Sequence, residues 1–125
     1  MSRNLTAAAA RIIIHDWRPA TYNELHATRH WGWRAKLKKR DREIVAVEAM
    51  RQATPATGKR RIGLKITLPK GQRRFDGDAF WKSCADACVQ AGLLLGDNPK
   101  WCEFGTVEQI RGERLSTTII LEDVK

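Results

Sequence analysis

Residues 60–68 alternate without a break. Ile62, Leu64, Ile66 and Leu68 stand on one side, and Arg61, Gly63, Lys65 and Thr67 on the other. Successive side chains of an extended chain point to opposite faces, so a period of two demands a strand with one apolar and one basic face. Such a strand needs neighbours to pair with and a layer to cover its apolar side. Leu115, Thr117, Ile119 and Leu121 repeat the alternation over 115–121. Arg11-Ile12-Ile13-Ile14-His15 is a short β-branched run bounded by Asp16 and Pro19. A fourth strand is expected over 101–110, with Arg111-Gly112-Glu113-Arg114 as a hairpin turn to the last one.

The covering layer is helical. Residues 34–53 are mostly helix formers, with Leu37, Ile44, Val47 and Met50 on one stripe and Thr54-Pro55 and Gly58 as the stop. A second helix is expected over 79–91, with Asp78 as its N-cap and Gly92 just beyond its end. Residues 18–33 show no clean period and read as a long loop. The order β–α–β–α–β–β predicts a single α+β domain over 1–125, a mixed four-stranded sheet with two helices, and 125 residues are one domain's worth of chain.

Charge narrows the partner. The formal net charge is +9, but residues 29–42 hold a local +6 and residues 59–74 a local +7, leaving −4 for the rest. Two concentrated basic segments on a mildly acidic body are what a phosphate backbone attracts, whereas a solubility surface intersperses the signs. Lys36, Lys38, Lys39 and Arg40 in the first segment, and Arg61, Lys65, Lys70, Arg73 and Arg74 in the second, are the candidate DNA contacts. No apolar run approaches the roughly 20 residues that span a bilayer. The apolar run 7–14 is interrupted by Arg11, so no signal peptide is expected. Three cysteines without a C-x-x-C pair fit a reducing, cytoplasmic compartment. Cys84 and Cys88 lie four apart on the apolar side of the second helix and read as core. Trp17, Trp81 and Trp101 read as core or interface. Trp31 and Trp33 fit either base stacking or the anchoring of a loop.

The sharpest feature is acidic. Asp76 and Asp78 are the sole acids between Glu48 and Asp86, directly after the most basic segment. Extended residues i and i+2 point the same way, so both carboxylates can face one point, where a divalent cation relieves their mutual repulsion and that with an arriving phosphate. Lys82 falls one helical turn beyond Asp78, in reach of such a phosphate. An ordinary reading stands beside this one: Asp78 caps the helix, and Lys82 pairs with Asp78 and Asp86 at i,i+4. Asp97, in Gly96-Asp97-Asn98-Pro99, is by itself a turn residue. A 13-residue helix is about 20 Å long, and the link from Gly92 to Asp97 spans at most about 18 Å. Asp97 therefore rejoins the pair only if that link runs straight back, or else it reaches a site across a dimer interface.

The run Arg73-Arg74-Phe75-Asp76-Gly77-Asp78, Lys82, Asp86-Ala87, Ala91-Gly92 and Asp97, with the strands after it, resembles the RusA family of Holliday junction resolvases, endonucleases of bacterial and prophage origin. The resemblance covers about 60–122; before it, Pro19 and Asn23 resemble the family's N-terminal Pro/Asn motif. It implies that Asp76, Asp78 and Asp97 bind Mg²⁺, with Mn²⁺ as a substitute, and that Lys82 assists catalysis. It also implies a bacterial or phage-encoded enzyme of DNA recombination and repair. The chain departs from the family pattern at three positions: Phe75 where an Arg is frequent, Ala79 where an Asn is frequent, and Gly96 before Asp97 in place of a second Asp. The expectation is a structure-selective endodeoxyribonuclease that resolves four-way junctions. Because such a junction is two-fold symmetric and must be cut twice, a homodimer is expected. The alternative is a nucleic-acid-binding module, or a degenerate resolvase, whose Asp cluster is structural.

Overall fold

The computed structural model describes residues 8–26 and 31–124. Along the chain come β1 (Ala8–His15), α1 (Tyr22–His26), α2 (Trp31–Gln52), β2 (Arg60–Pro69), α3 (Trp81–Gln90), β3 (Cys102–Gly112) and β4 (Ser116–Asp123). A 3-10 turn over Gly77–Phe80 leads into α3. The α+β class and the mixed four-stranded sheet are as the sequence predicts. The short α1 stands where a loop was expected, so three helices are described rather than two, and α2 begins at Trp31 rather than at Arg34.

The strand order is β1-β4-β2-β3, with β2 parallel to β3 and antiparallel to β4, which in turn is antiparallel to β1. This corrects the expected hairpin: β3 and β4 are not paired, and β2 lies between them. The chain leaves β2, crosses through α3 and returns parallel, which seats β3 against β2. β4 then takes the other side of β2, and residues 113–115 bridge the end of that strand.

Ile12, Ile14, Ile62, Leu64, Ile66, Leu68, Ile119 and Leu121 turn one face of the sheet toward the helices and meet Val45, Ala49, Phe80, Cys84, Ala87, Cys88, Leu93 and Leu94. All three cysteines are buried and unbridged. The expected stripe of α2 is corrected in part. Leu37 is buried and Ile44 packs on the core, but Val47 and Met50 are 57 % and 89 % exposed. At about 100° per residue Met50 points nearly opposite Val45. The buried row is Leu37, Asp41, Val45 and Ala49. It contains an acid because the interior offers that acid several donors.

α3 differs from expectation at one terminus only. Asp78 lies inside the 3-10 turn and Phe80 is the N-cap, while neither Asp76 nor Phe80 caps through its side chain. At the other end Gly92 has φ +80°. Its N–H donates to the Val89 carbonyl (3.1 Å) and that of Leu93 to Cys88 (2.9 Å). These two bonds satisfy the last carbonyls of the helix in a Schellman arrangement that favours glycine at this position. β3 carries a bulge. Ile62 pairs with Phe104 but Leu64 with Val107, so Gly105 and Thr106 together oppose Gly63. One extra residue flips the alternation along the rest of the strand. Val107 and Gln109 consequently face the helical side, beneath the Asp76–Asp78 segment.

Candidate active site

The segment before α3 is held from below by β3. The Gln109 side chain pairs with the Phe75 backbone at both groups: the Phe75 N–H donates to Oε1 (2.8 Å) and Nε2 donates to the Phe75 carbonyl (2.7 Å). An amide side chain thus replaces a strand neighbour for the residue immediately before Asp76. Two residues on, a Cβ on Gly77 would stand 3.3 Å from Val107 Cβ, so the glycine lets the turn press close against β3. Asp76 and Asp78 flank this contact with exposed side chains. Among the described residues neither carboxylate forms a salt bridge.

Lys82 is also exposed, on the first turn of α3. Its i,i+4 pairs with Asp78 and Asp86 are not formed: Asp86 instead meets Arg42 of α2 at 3.6 Å. The Lys82 Nζ stands 6.0 Å from the ring centroid of Tyr22 in α1. Asp76 and Asp78 lie on the turn into α3 and Lys82 on its first helical turn, so the three share one edge by chain proximity, with α1 beside Lys82. Asp76 is extended but Gly77 and Asp78 belong to the 3-10 turn, so the expected alignment of i and i+2 along an extended chain is not formed.

Asp97 does not share it. Leu93 and Leu94 turn inward after α3, and a Cβ on Gly96 would touch the Trp101 ring at 2.9 Å. Asp97 lies by Cys102 at the start of β3, where its charge helps to raise the Cys102 thiol. Gly77 packs on Val107, five residues and roughly 15 Å further along the strand. The link after α3 does not run back along the helix. Among the described residues no three His, Cys, Asp or Glu side chains converge as a metal site.

The basic segments divide when folded. Arg60 is 2 % exposed; it pairs with Asp123 (3.0 Å) and donates to the carbonyls of Thr54 and Leu93. Lys59 and Arg61 both engage Glu103, at 3.3 and 3.0 Å, and hold its carboxyl below the usual range. Arg61 and Lys65 lie on the sheet face away from the helices. Lys36 and Lys39 are exposed on α2 and Lys38 is partly buried, with Lys39 near Glu43 (4.0 Å). Lys70, Arg73 and Arg74 are exposed in the loop that leads to Asp76. Arg111 donates to the carbonyls of Pro69 and Gln72 and pins that loop to β3.

A cleft of about 380 Å³ opens beside the loop, lined by Arg18, Asn23, Gln72, Arg73, Arg74 and Phe75. The Arg18 guanidinium lies 4.6 Å over the Phe75 ring. The contact brings a cation from the β1–α1 connection onto the residue just before Asp76. Glu24 holds Arg18 through two bonds (2.7 and 3.1 Å) and also accepts from the Thr21 N–H (2.8 Å), while the Glu24 N–H donates to Thr21 Oγ1 (3.2 Å). This is a capping box, legible in Thr21-Tyr22-Asn23-Glu24. The Arg18 guanidinium lowers the Glu24 carboxyl from an ordinary 4.5 to about 2.

Asp41, one more acid by sequence, is fully buried and joins three elements. Its Oδ1 accepts from Trp17 Nε1 (2.9 Å), and its Oδ2 from the Ala20 N–H (2.8 Å) and Ser83 Oγ (2.7 Å). The carboxylate ties the β1–α1 connection to α2 and α3, and Arg40 covers it from outside at 3.0 Å. Trp17 is core, as expected; Trp81 meets Phe104 at 4.9 Å, and Trp33 is 53 % exposed. The Trp31 side chain lies outside the described residues. Burial pushes Cys102 up to about 11, and the hydrogen bond to Cys88 raises Cys84, so these two thiols stay protonated and are not nucleophiles. No helix among the described residues is long and apolar enough to cross a membrane. The chain matches no protein-family model and no curated protein.

Proposed function

We infer that the chain is a Mg²⁺-dependent, structure-selective endodeoxyribonuclease of the RusA type that cuts branched DNA, four-way junctions above all. One observation carries this reading. Asp76 and Asp78, exposed and without a salt bridge among the described residues, share an edge with a Lys82 equally free of carboxylates. That edge lies next to a cleft lined by Arg18, Arg73 and Arg74. A hard cation held between the two carboxylates would relieve their mutual repulsion and their repulsion of an arriving phosphate. The donor set fits: two carboxylates, with water and phosphate oxygens completing six ligands. Mg²⁺ held there would polarise the scissile phosphate and lower the pKa of a bound water. Arg73 and Arg74 would hold the flanking phosphates, and Lys82 would neutralise charge that develops on the phosphate under attack.

A second reading has its own support. Asp97 stands apart from the pair within one chain, which favours either a non-catalytic nucleic-acid-binding module or a site completed by the second subunit of a homodimer. Asp76→Asn and Asp78→Asn separate catalysis from binding, because each removes a ligand and no cation. With Mg²⁺, both variants are expected to bind a synthetic four-way junction as tightly as the parent protein, or more tightly, and to leave it uncut. Cleavage at the parental rate by both variants would overturn the metal assignment. Binding without cleavage by the parent protein would establish the binding module. Equal cutting of flaps, forks and junctions would widen the substrate class.

A further inference from the structure

Five residues are too few for a helix to stand alone in water, yet α1 is held firmly. The Thr21–Glu24 capping box closes its first turn, the Arg18–Glu24 pair braces it, and Leu25, 0 % exposed, pins it against Ala20 and Leu37. This fixed helix presents a pair of rings to solvent. Tyr22, 50 % exposed, and His26 stack with centroids 4.0 Å apart and planes 23° from parallel. The stack is locked, since His26 Nδ1 donates to the Tyr22 carbonyl at 2.9 Å. A single exposed ring calls for no explanation. A ring pair locked by its own hydrogen bond, on a helix braced through Glu24 and Leu25 and next to Lys82, does.

Lys82 Nζ stands 6.0 Å from the Tyr22 centroid, well beyond the roughly 3.5 Å at which a flat ring packs on another. A planar group stacked on Tyr22 would turn the flexible Lys82 side chain aside and bring its ammonium next to the phosphate that flanks that group. Asn23, the next residue of α1, lines the cationic cleft, so a strand with its phosphates there passes α1. The geometry points to the Tyr22–His26 stack as a base platform: it receives an unpaired nucleobase flanking the phosphate held at Asp76, Asp78 and Lys82. The inference rests on the nuclease reading and gives it a source of branch selectivity. A base within an intact duplex is already stacked and cannot lie on Tyr22, whereas a base at a branch point can.

The test avoids cleavage altogether. The Asp76→Asn protein, in chelator, is mixed with a four-way junction that carries 2-aminopurine at the branch point, and with a fully paired duplex. Stacking on Tyr22 is expected to change the probe's fluorescence on binding. Tyr22→Ala should abolish that change and weaken junction binding roughly 5- to 150-fold, with duplex binding and the melting temperature unaltered. Tyr22→Phe and Tyr22→Trp should restore both signals, and His26→Ala should reduce them. Junction binding with the same fluorescence change in Tyr22→Ala would overturn the platform and leave the nuclease reading standing. Equal losses on junction and duplex would also overturn it, because the ring would then serve backbone contacts alone. A protein that binds neither DNA overturns the nuclease reading and the platform with it.

Discussion

Single residues at this edge are held by groups that a linear reading counts as surface. Glu24 is one acid among many in the sequence, yet it closes a capping box, grips Arg18 and so fixes the cation above Phe75. The Arg18 guanidinium lowers its carboxyl from 4.5 to about 2. A carboxyl depressed in the folded state favours folding at pH values above its unfolded pKa, and that contribution is lost as pH falls through the folded value. The window therefore runs from about 4.5 down to about 2. Glu24→Gln is expected to lower the melting temperature at pH 6, and its gap from the parent protein should close as the pH falls through that window. The side chain is 41 % exposed, so solvent screening holds the ion-pair part below roughly 1 kcal/mol. Calorimetry of both proteins at a series of pH values checks this; a gap that stays constant down to pH 2 would show that Glu24 acts through hydrogen bonds alone. Asp41 is buried so completely that its neighbours, rather than solvent, set its worth. Removing it would leave the Trp17 indole, the Ala20 amide and the Ser83 hydroxyl without their acceptor, at about 1–3 kcal/mol for each buried donor that finds no other partner.

At the level of elements, the basic loop and the basic strand behave differently although they are continuous in sequence. β2 sends Arg60 into the core and Arg61 to Glu103, whereas the loop after it leaves Lys70, Arg73 and Arg74 unopposed by salt bridges among the described residues. DNA affinity falls with salt by about 0.9 logarithmic units per phosphate contact for each decade of salt. Arg73→Ala and Arg74→Ala should each reduce that slope by about one, while Arg61→Ala should leave it unchanged. Titrations at several salt concentrations measure it, and an equal effect of all three would show that the Glu103 pair opens on binding. The same contrast, local against long-range, separates the legible elements from the rest. Alternation announced β2 and β4, and Gly92 announced the end of α3, because each signal is local. The pairing of β3 with β2 could not be read from the Gly112 turn, since the crossover through α3 decides it. The bulge at Gly105 was visible only as a glycine inside a strand. Without it Gln109 would face away from the segment it holds. The buried face of α2 was misread because its centre is an acid.

The whole molecule leaves Asp97 at one end of β3 and Asp76 near its middle, and this separation makes a prediction about assembly. A junction has two-fold symmetry, and two subunits related by a two-fold axis each offer what the other lacks. If Asp97 of one subunit completes the Asp76–Asp78 pair of its partner, subunits with different defects can rescue one another. Asp76→Asn and Asp97→Asn would each be inactive alone. In a mixed dimer, one site would inherit both substitutions and the other neither. Random mixing puts half the molecules in mixed dimers with one intact site of two, so nicking should return to about a quarter of the parental level. If each chain used its own Asp97, every site in the mixture would retain one defect. No rescue would then occur. Unfolding and refolding the two variants together, then measuring nicked junction against each variant refolded alone, separates the cases. Asp97→Asn with full activity by itself would remove Asp97 from the site and leave Asp76 and Asp78 as the whole carboxylate set. The separation along β3 would then reflect the role of Asp97 in the turn before that strand.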